Sequence, residues 1–81
     1  MTLTIQLFAG ARESAGNDRV TVDLPAGACV ADLQQTLLSA APGLGRYGGR
    51  LWVAVNGEYA AESDLLHAGA EVAVFPPVSG G

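Results

Sequence analysis

The pattern of apolar residues in this chain changes from a strand period to a helix period and back again within 81 residues. Apolar residues alternate with polar ones over residues 3–7, which predicts a strand with one buried face. From Val30 the spacing becomes helical, and Pro42 and Gly43 are expected to end this main helix. The apolar face of the helix comprises Val30, Leu33, Leu37, Leu38 and Ala41. One helix lying across one face of a small sheet accommodates this order of elements.

Further strands are expected on both sides of the main helix, because apolar residues alternate there as well; residues 58–61 are the exception, expected to pair back briefly after a turn. The predicted strands span residues 20–24, 51–55, 58–61 and 70–75. Asn56 and Gly57 form a turn dipeptide that suits a hairpin. The connecting segments are expected to be a turn or two of helix within residues 10–16, a glycine-rich loop over 43–49, and a single turn over 65–68 capped by Asp64.

These elements predict an α+β fold of the β-grasp kind, a ubiquitin-like roll in which a mixed sheet of about five strands packs on one main helix. The connection across the helix should leave the first and last strands adjacent and parallel in the centre of the sheet. A chain of 81 residues has room for a single domain. We assign residues 1–75 to the β-grasp domain and residues 76–81 to an extended, flexible C-terminal tail.

The composition argues against several classes of function. Eight acidic residues against four arginines give a net charge of −4, and no basic cluster interrupts this balance, so no nucleic acid is expected as a partner. No apolar run approaches the ~20 residues of a membrane span. Cys29 is the only cysteine, so neither an internal disulfide nor a metal site is expected, and the chain should bind no cofactor itself. These features predict a cytoplasmic protein without a membrane segment.

Three features inside the domain could carry chemistry, and each has a simpler structural interpretation. Residues 43–48 match G-x-G-x-x-G, but they follow a helix and precede a strand, the reverse of a dinucleotide-binding turn, so a flexible connector is favoured. Cys29 stands where the main helix begins, where a thiol can gain reactivity or can simply occupy the N-cap position. His67 is expected to be a surface or cap residue.

The C-terminal tail is the segment whose composition points most clearly to chemistry. Pro76 and Pro77 have a fixed φ, which favours an extended exit that carries the chain end away from the domain. Gly80 and Gly81 leave the last residues without side chains, so they can enter a narrow channel and present a carboxylate to a nucleotide. Activation of a C-terminal carboxyl by ATP requires such an arrangement. A merely frayed tail is the alternative.

Five motifs spread along nearly the whole chain form one recognisable set. They are Leu7-Phe8-Ala9 with Arg12-Glu13, Val30-Ala31-Asp32-Leu33, Ala54-Val55-Asn56-Gly57, Gly69-Ala70-Glu71-Val72, and the ending Phe75-Pro76-Pro77-Val78-Ser79-Gly80-Gly81. Together they resemble the MoaD/ThiS family of sulfur carriers. The ending is the most specific motif, and through it the chain is most similar to the carriers that serve molybdopterin synthase. Two positions depart from the family pattern, Cys29 for Thr or Ser and Ala70 for Asp, and neither touches the tail.

The resemblance implies that an E1-like adenylyltransferase uses ATP to adenylate the Gly81 carboxylate, which then becomes a thiocarboxylate, with Gly80 giving access. It implies sulfur donation to cyclic pyranopterin monophosphate inside the molybdopterin synthase large subunit, in a heterotetramer of two small and two large subunits. The chain would catalyse nothing alone, because the catalytic residues would lie on the large subunit. The residues implied in partner binding are Phe8, Tyr59, Phe75, Pro76, Pro77, Val78 and Ser79.

Two alternatives and one structural question remain open at this point. The same chemistry could serve another acceptor, in thiamine, cysteine or tRNA thiolation, and only the partner distinguishes these pathways. A ubiquitin-like modifier that is ligated through Gly81 to a lysine of another protein is the second alternative. Phe8 and Phe75 could belong to the hydrophobic core instead of to a patch that binds partners.

Overall fold

The computed structural model describes residues 1–48 and 50–77, so the predictions for Val78, Ser79, Gly80 and Gly81 lie outside the described residues. Within these ranges the chain forms five strands, two α-helices and one 3₁₀ helix. In chain order they are β1 (Thr2–Leu7), α1 (Ala9–Ala15), β2 (Arg19–Asp23), α2 (Val30–Ala40), the 3₁₀ helix (Pro42–Tyr47), β3 (Trp52–Val55), β4 (Glu58–Tyr59) and β5 (Val72–Phe75). The predicted connector helix is α1, and the predicted main helix is α2.

The five strands form one mixed sheet in the order β2-β1-β5-β3-β4. β1 and β5 lie side by side in parallel at its centre, with Ile5 opposite Val72, and the other neighbouring strands pair antiparallel. A parallel pair needs a long crossover connection, and the path through α2 is part of it. The predicted β-grasp roll, with its first and last strands adjacent and parallel, is therefore confirmed.

The hydrophobic core lies between one face of this sheet and α2. Buried and exposed residues alternate along β1, as the sequence pattern predicted. The buried side chains of β1 and α2 are Leu3, Ile5, Leu7, Val30, Leu33 and Leu37. Burial of one leucine side chain stabilises a fold by about 1.5–3 kcal/mol, so this layer contributes much of the free energy of folding. The other sheet face presents exposed side chains of β1, namely Thr2, Thr4 and Gln6.

Residues 42–47 form a 3₁₀ helix, so the prediction of a flexible glycine-rich connector is wrong. Leu44 is completely buried and fixes this segment to the core. Gly43 packs against α1, since a Cβ atom on it would stand 1.9 Å from the backbone oxygen of Ser14. The glycine is needed here for the close approach of two backbones. The segment leads into β3 and not into a helix, so it lacks the geometry of a dinucleotide-binding turn.

The predicted single turn over residues 65–68 is misplaced: the turn lies over residues 67–70, where the Ala70 N–H donates to the His67 carbonyl. The segment before this turn is extended where it passes the start of α2. Its backbone forms a bridge with Cys29, and the N–H of Leu66 donates to the Ala28 carbonyl at 2.9 Å. The Asp64 carboxylate accepts from the backbone N–H three residues before it, at 2.8 Å, so it caps the preceding turn instead. Pairing with the start of α2 satisfies backbone groups that an isolated turn would leave to water.

A tight turn at Asn56 and Gly57 joins β3 to β4, as predicted. The two residues have positive φ values of 52° and 84°, which suit the twist of a two-residue hairpin turn. Asn56 also pairs with Glu71: its N–H donates to the Glu71 carbonyl at 2.8 Å, and its side-chain oxygen accepts from the Glu71 N–H at 2.9 Å. These hydrogen bonds tie the short β3–β4 hairpin to the segment that leads into β5.

Candidate functional site

Four large aromatic side chains lie together on the sheet face opposite α2. We call Phe8, Trp52, Tyr59 and Phe75 the aromatic patch. The Phe8 and Phe75 rings stack with their centroids 5.0 Å apart, and the Tyr59 ring lies edge-on to Phe75 at 6.5 Å and to Trp52 at 5.3 Å. Tyr59 is 70% exposed, Trp52 50% and Phe8 41%. A contiguous exposed aromatic surface of this kind is typical of sites that bind other proteins.

Strand alternation explains why these side chains share one face. On β5, Val74 is buried, so the next residue, Phe75, points to the opposite side of the sheet. On β3, Val53 is buried, and its neighbour Trp52 pairs directly with Phe75 across the two strands. Phe8 follows β1, and its N–H donates to the Val74 carbonyl at 3.2 Å. This hydrogen bond holds the Phe8 ring beside Phe75.

The structure answers the question of whether Phe8 and Phe75 belong to the core. Phe8 is exposed and Phe75 is half-buried, and both lie on the face away from α2, together with Tyr59. Their role in partner binding stays a prediction. Sequence reasoning missed Trp52, although the signal was present: it precedes Val53 in an alternating strand and must therefore face away from the core.

Pro76 and Pro77 continue the chain directly from the aromatic patch, and we call these two residues the stem. Both are half-buried. Pro77 lines a hollow together with Arg50 and Trp52. On the α1 side, a Cβ atom on Gly10 would lie 4.0 Å from Cγ of Pro76. The chain therefore leaves the domain beside both the patch and α1.

A second hollow, lined by polar and apolar residues, adjoins the aromatic patch on the same sheet face. Tyr59 and Phe75 border this hollow. Its polar lining residues are Thr2, Thr4, Gln6, Arg19 and Glu71. The patch is thus an apolar centre with polar groups beside it, which is the usual composition of a protein interface.

Cys29 begins α2 and takes part in a capping arrangement with Asp32. The Cys29 N–H donates to Oδ2 of Asp32 at 3.0 Å, and the thiol donates to the same oxygen at 3.3 Å. These two hydrogen bonds, the backbone one first, hold the pKa of the Asp32 carboxyl below its ordinary value of 3.8. The contacts support the capping interpretation of Cys29.

His67 is exposed, and its carbonyl accepts from the Ala70 N–H at 3.1 Å, as expected for a surface residue in a turn. Within residues 1–48 and 50–77, no three His, Cys, Asp or Glu residues come together in a group that could hold a metal ion. Over the same ranges, none of the helices has the length and apolar character needed to cross a membrane.

The sequence and the fold were both found to be similar to those of known proteins. The sequence profile of the ThiS family matches residues 5–81. The chain is 40% identical to small archaeal modifier protein 1 of Haloferax volcanii over 84 residues, a match that covers 94% of this chain and 97% of that protein. It is 37% identical to the molybdopterin synthase sulfur carrier subunit of Chlamydomonas reinhardtii over 83 residues, covering 100% of both chains. A crystal structure of the Haloferax volcanii modifier matches with a TM-score of 0.89 at 37% identity and covers 100% of each chain.

Proposed function

Because this chain belongs to the ThiS family of ubiquitin-like sulfur carriers, we propose that it is the sulfur-donor small subunit of molybdopterin synthase. Gly81 is the donor: its carboxylate becomes a thiocarboxylate and gives its sulfur to cyclic pyranopterin monophosphate, in the cytoplasmic synthesis of the molybdenum cofactor. The observation that carries this proposal is the aromatic patch from which the stem continues. A docking surface and a reactive chain end then act from the same part of the domain.

Two steps prepare the terminal carboxylate. On an E1-like adenylyltransferase, an oxygen of the Gly81 carboxylate attacks the α-phosphorus of ATP, so that an acyl adenylate forms and pyrophosphate leaves. In the second step, the outer sulfur of a protein persulfide attacks the carbonyl carbon, and AMP leaves with the bonding electron pair. A thiol of the sulfurtransferase system then reduces the S–S bond of this acyl disulfide, which releases the thiocarboxylate and leaves a disulfide on the donor. Gly80 has no side chain, so the chain end can lie against the nucleotide without steric hindrance. The resulting thiocarboxylate is a softer nucleophile than the carboxylate.

The large subunit supplies the acid and base groups for sulfur transfer. On this chain the reacting group is the terminal thiocarboxylate, so the groups that move protons and bind the phosphorylated pterin belong to the partner. The net charge of −4 suits a carrier that does not itself attract an anionic pterin phosphate. Each dithiolene consumes two carriers, which agrees with a heterotetramer of two small and two large subunits.

The aromatic patch is the proposed docking surface. Tyr59 and Trp52 are 70% and 50% exposed and contact each other, so a partner can bury both rings without disturbing the core. A few aromatic side chains commonly carry most of the free energy of binding at an interface, while the polar residues around them add little and exclude water. Arg19 and Glu71, in the adjoining hollow, supply polar surroundings of this kind. The proposed contact residues are Phe8, Trp52, Tyr59, Phe75, Pro76, Pro77, Val78 and Ser79.

Two observations support molybdopterin synthase as the acceptor of the sulfur. The relative from Chlamydomonas reinhardtii is named for that enzyme and aligns over its whole length. The residues before the terminal glycines point the same way, because carriers for thiamine generally lack the sequence Pro76-Pro77-Val78-Ser79. The partner, more than the fold, distinguishes the pathways in which such carriers serve.

A protein modifier is the second candidate, and the relative from Haloferax volcanii favours it. That protein is named a modifier and aligns over 97% of its length. In this case the adenylated Gly81 carbonyl would form an amide bond with a lysine amine of another protein, and AMP would leave. Amide-linked products formed from ATP, an E1-like adenylyltransferase and acceptor proteins would favour this candidate over sulfur donation.

The test is dithiolene formation by the thiocarboxylated chain, mixed with a molybdopterin synthase large subunit and the pyranopterin precursor. Mass spectrometry first verifies the thiocarboxylate, and the carrier native to that large subunit serves as the positive control. We expect product from the complete chain. A chain without Gly81, or with one residue added after it, should give none, since the reacting group must be terminal. No product from the complete chain, with an active control, would reject this acceptor.

A further inference from the structure

Tyr47 connects the 3₁₀ helix with α1, next to a glycine of α1 that lies beside the stem. A Cβ atom on Gly10 would lie 2.6 Å from the hydroxyl oxygen of Tyr47 and 4.0 Å from Cγ of Pro76. A side chain at position 10 would therefore meet the tyrosine and the first residue of the stem at once. The clash is with the far end of a flexible side chain. An added Cβ is therefore expected to displace the Tyr47 ring and to leave the backbone fold intact.

Several contacts hold Tyr47 in this place. Its hydroxyl lies 3.3 Å from Oγ of Ser14, so the 3₁₀ helix and α1 share a hydrogen bond. Its carbonyl accepts from the backbone N–H of Arg50 at 3.0 Å and from Nε of the same residue at 2.9 Å. The guanidinium of Arg46 lies 5.7 Å from the ring centroid, within cation–π distance. Tyr47 is thus anchored through both its backbone and its ring.

The turn that contains Gly10 also contacts the last strand. Phe8, the N-cap residue of α1, stacks on Phe75 and donates its N–H to the Val74 carbonyl. The start of α1 therefore touches Tyr47 on one side and the end of β5 on the other. A shift of this turn moves the point from which Pro76 leaves the sheet.

We propose that Gly10 and Tyr47 are positioning residues, which set the direction in which the stem leaves the domain and thereby the placement of Gly81 in the partner. This inference rests on the proposed function, because it concerns delivery of the same terminus. Pro76 and Pro77 have fixed φ, so a displacement at Pro76 is passed along the stem instead of being absorbed. A preset exit also reduces the conformational freedom that docking must remove.

The test uses two substitutions whose geometric effects cancel. Gly10→Ala adds the Cβ that meets the Tyr47 hydroxyl. Tyr47→Phe removes that hydroxyl and keeps the ring, whose Cζ lies 3.8 Å from the added Cβ, an ordinary contact. Val22→Ala is the control for stability, because Val22 is buried opposite Leu3, at the end of the sheet away from the stem.

Each thiocarboxylated variant is titrated against the large subunit in single-turnover dithiolene assays. The melting temperature and the Phe75 resonances of each free chain are recorded alongside. We expect Gly10→Ala to raise the half-saturating concentration about tenfold, because fewer molecules have the productive exit, and to change the limiting rate much less. The double variant, Gly10→Ala with Tyr47→Phe, should have the same half-saturating concentration and the same Phe75 resonances as the Tyr47→Phe variant alone. Val22→Ala should lower the melting temperature without changing the half-saturating concentration.

Two results would overturn this inference. In the first, the half-saturating concentration rises whenever the melting temperature falls, in Val22→Ala as well as in the other variants. In the second, the double variant behaves no better than Gly10→Ala. In both cases the wild-type chain is active, and the proposed function stands. An inactive wild-type chain, with the large subunit active on its own carrier, would reject the proposed function and this inference with it.

Discussion

Gly43 allows the 3₁₀ helix and α1 to approach each other more closely than any other residue would permit. An alanine Cβ would stand 1.9 Å from the Ser14 backbone oxygen, so the two segments would have to separate. We expect Gly43→Ala to lower the free energy of unfolding, measured in urea, by about 1–3 kcal/mol, the usual cost of overpacking. Gly45→Ala is the matched control, since no heavy atom lies within 4 Å of its Cβ position. Equal losses in the two variants would contradict this account.

Asp32 makes the start of α2 sensitive to pH. Hydrogen bonds from Cys29 hold the Asp32 pKa below its ordinary value of 3.8. The carboxylate therefore adds stability that is fully present above that value and is lost as the pH falls through the lower folded-state pKa. Asp32→Asn should lower the melting temperature at pH 7, by a small amount because the group is exposed, and the difference should shrink as the pH falls below 3.8. A difference independent of pH would refute this role.

At the residue scale, the sequence predicted where a residue lies within a helix or strand better than it predicted which residues contact each other in space. The helical spacing that starts at Val30 placed Cys29 at the beginning of the helix, and the structure shows it in that capping position. Gly43 was misinterpreted, because a glycine is equally compatible with conformational freedom and with a close backbone approach. Only its neighbour in space, the Ser14 carbonyl, distinguishes the two. Trp52 was missed although the alternation around it contained the information.

At the scale of elements, the aromatic patch combines side chains from β3, β4, β5 and the start of α1. Tyr59 is 70% exposed, so Tyr59→Ala should change the melting temperature little and yet weaken binding to the large subunit. We expect at least a tenfold loss of affinity in isothermal titration calorimetry, or about 1.4 kcal/mol. Leu65→Ala is the matched control, because Leu65 is 60% exposed beside Cys29, outside the patch. Similar losses from both substitutions would exclude the patch as the docking surface.

The strands and the main helix could be predicted because local periodicity reports which side of an element is buried. The central parallel pair followed from the helix that separates the first and last strands. The 3₁₀ helix and the extended segment over residues 65–66 could not be predicted in the same way. Their backbones are set by partners distant in sequence, α1 for the former and the start of α2 for the latter.

At the scale of the whole molecule, we propose that the stable core and the reactive end are separate parts of the chain. The buried core extends from Leu3 to Val74, whereas Pro76 and Pro77 are only half-buried. The division into residues 1–75 and 76–81 stays a prediction. The chemistry proposed for the tail depends on residue types in order, so the sequence alone is enough to propose it. For the proposed docking surface, the family resemblance implied Phe8, Tyr59 and Phe75. Periodicity alone could not show that these rings and Trp52 come together in the folded sheet.

The most direct test of the account is the mass of the chain after incubation with ATP, an E1-like adenylyltransferase, a persulfide sulfur donor and a thiol reductant. We predict a mass increase that corresponds to replacement of one oxygen by sulfur, located in the C-terminal fragment that ends at Gly81. A chain without Gly81 should keep its mass in this incubation. It should also keep its melting temperature, because the buried residues of the described part of the chain end at Val74. An unchanged complete chain, sulfur found at Cys29, or amide linkage to another protein in place of the thiocarboxylate would contradict the account.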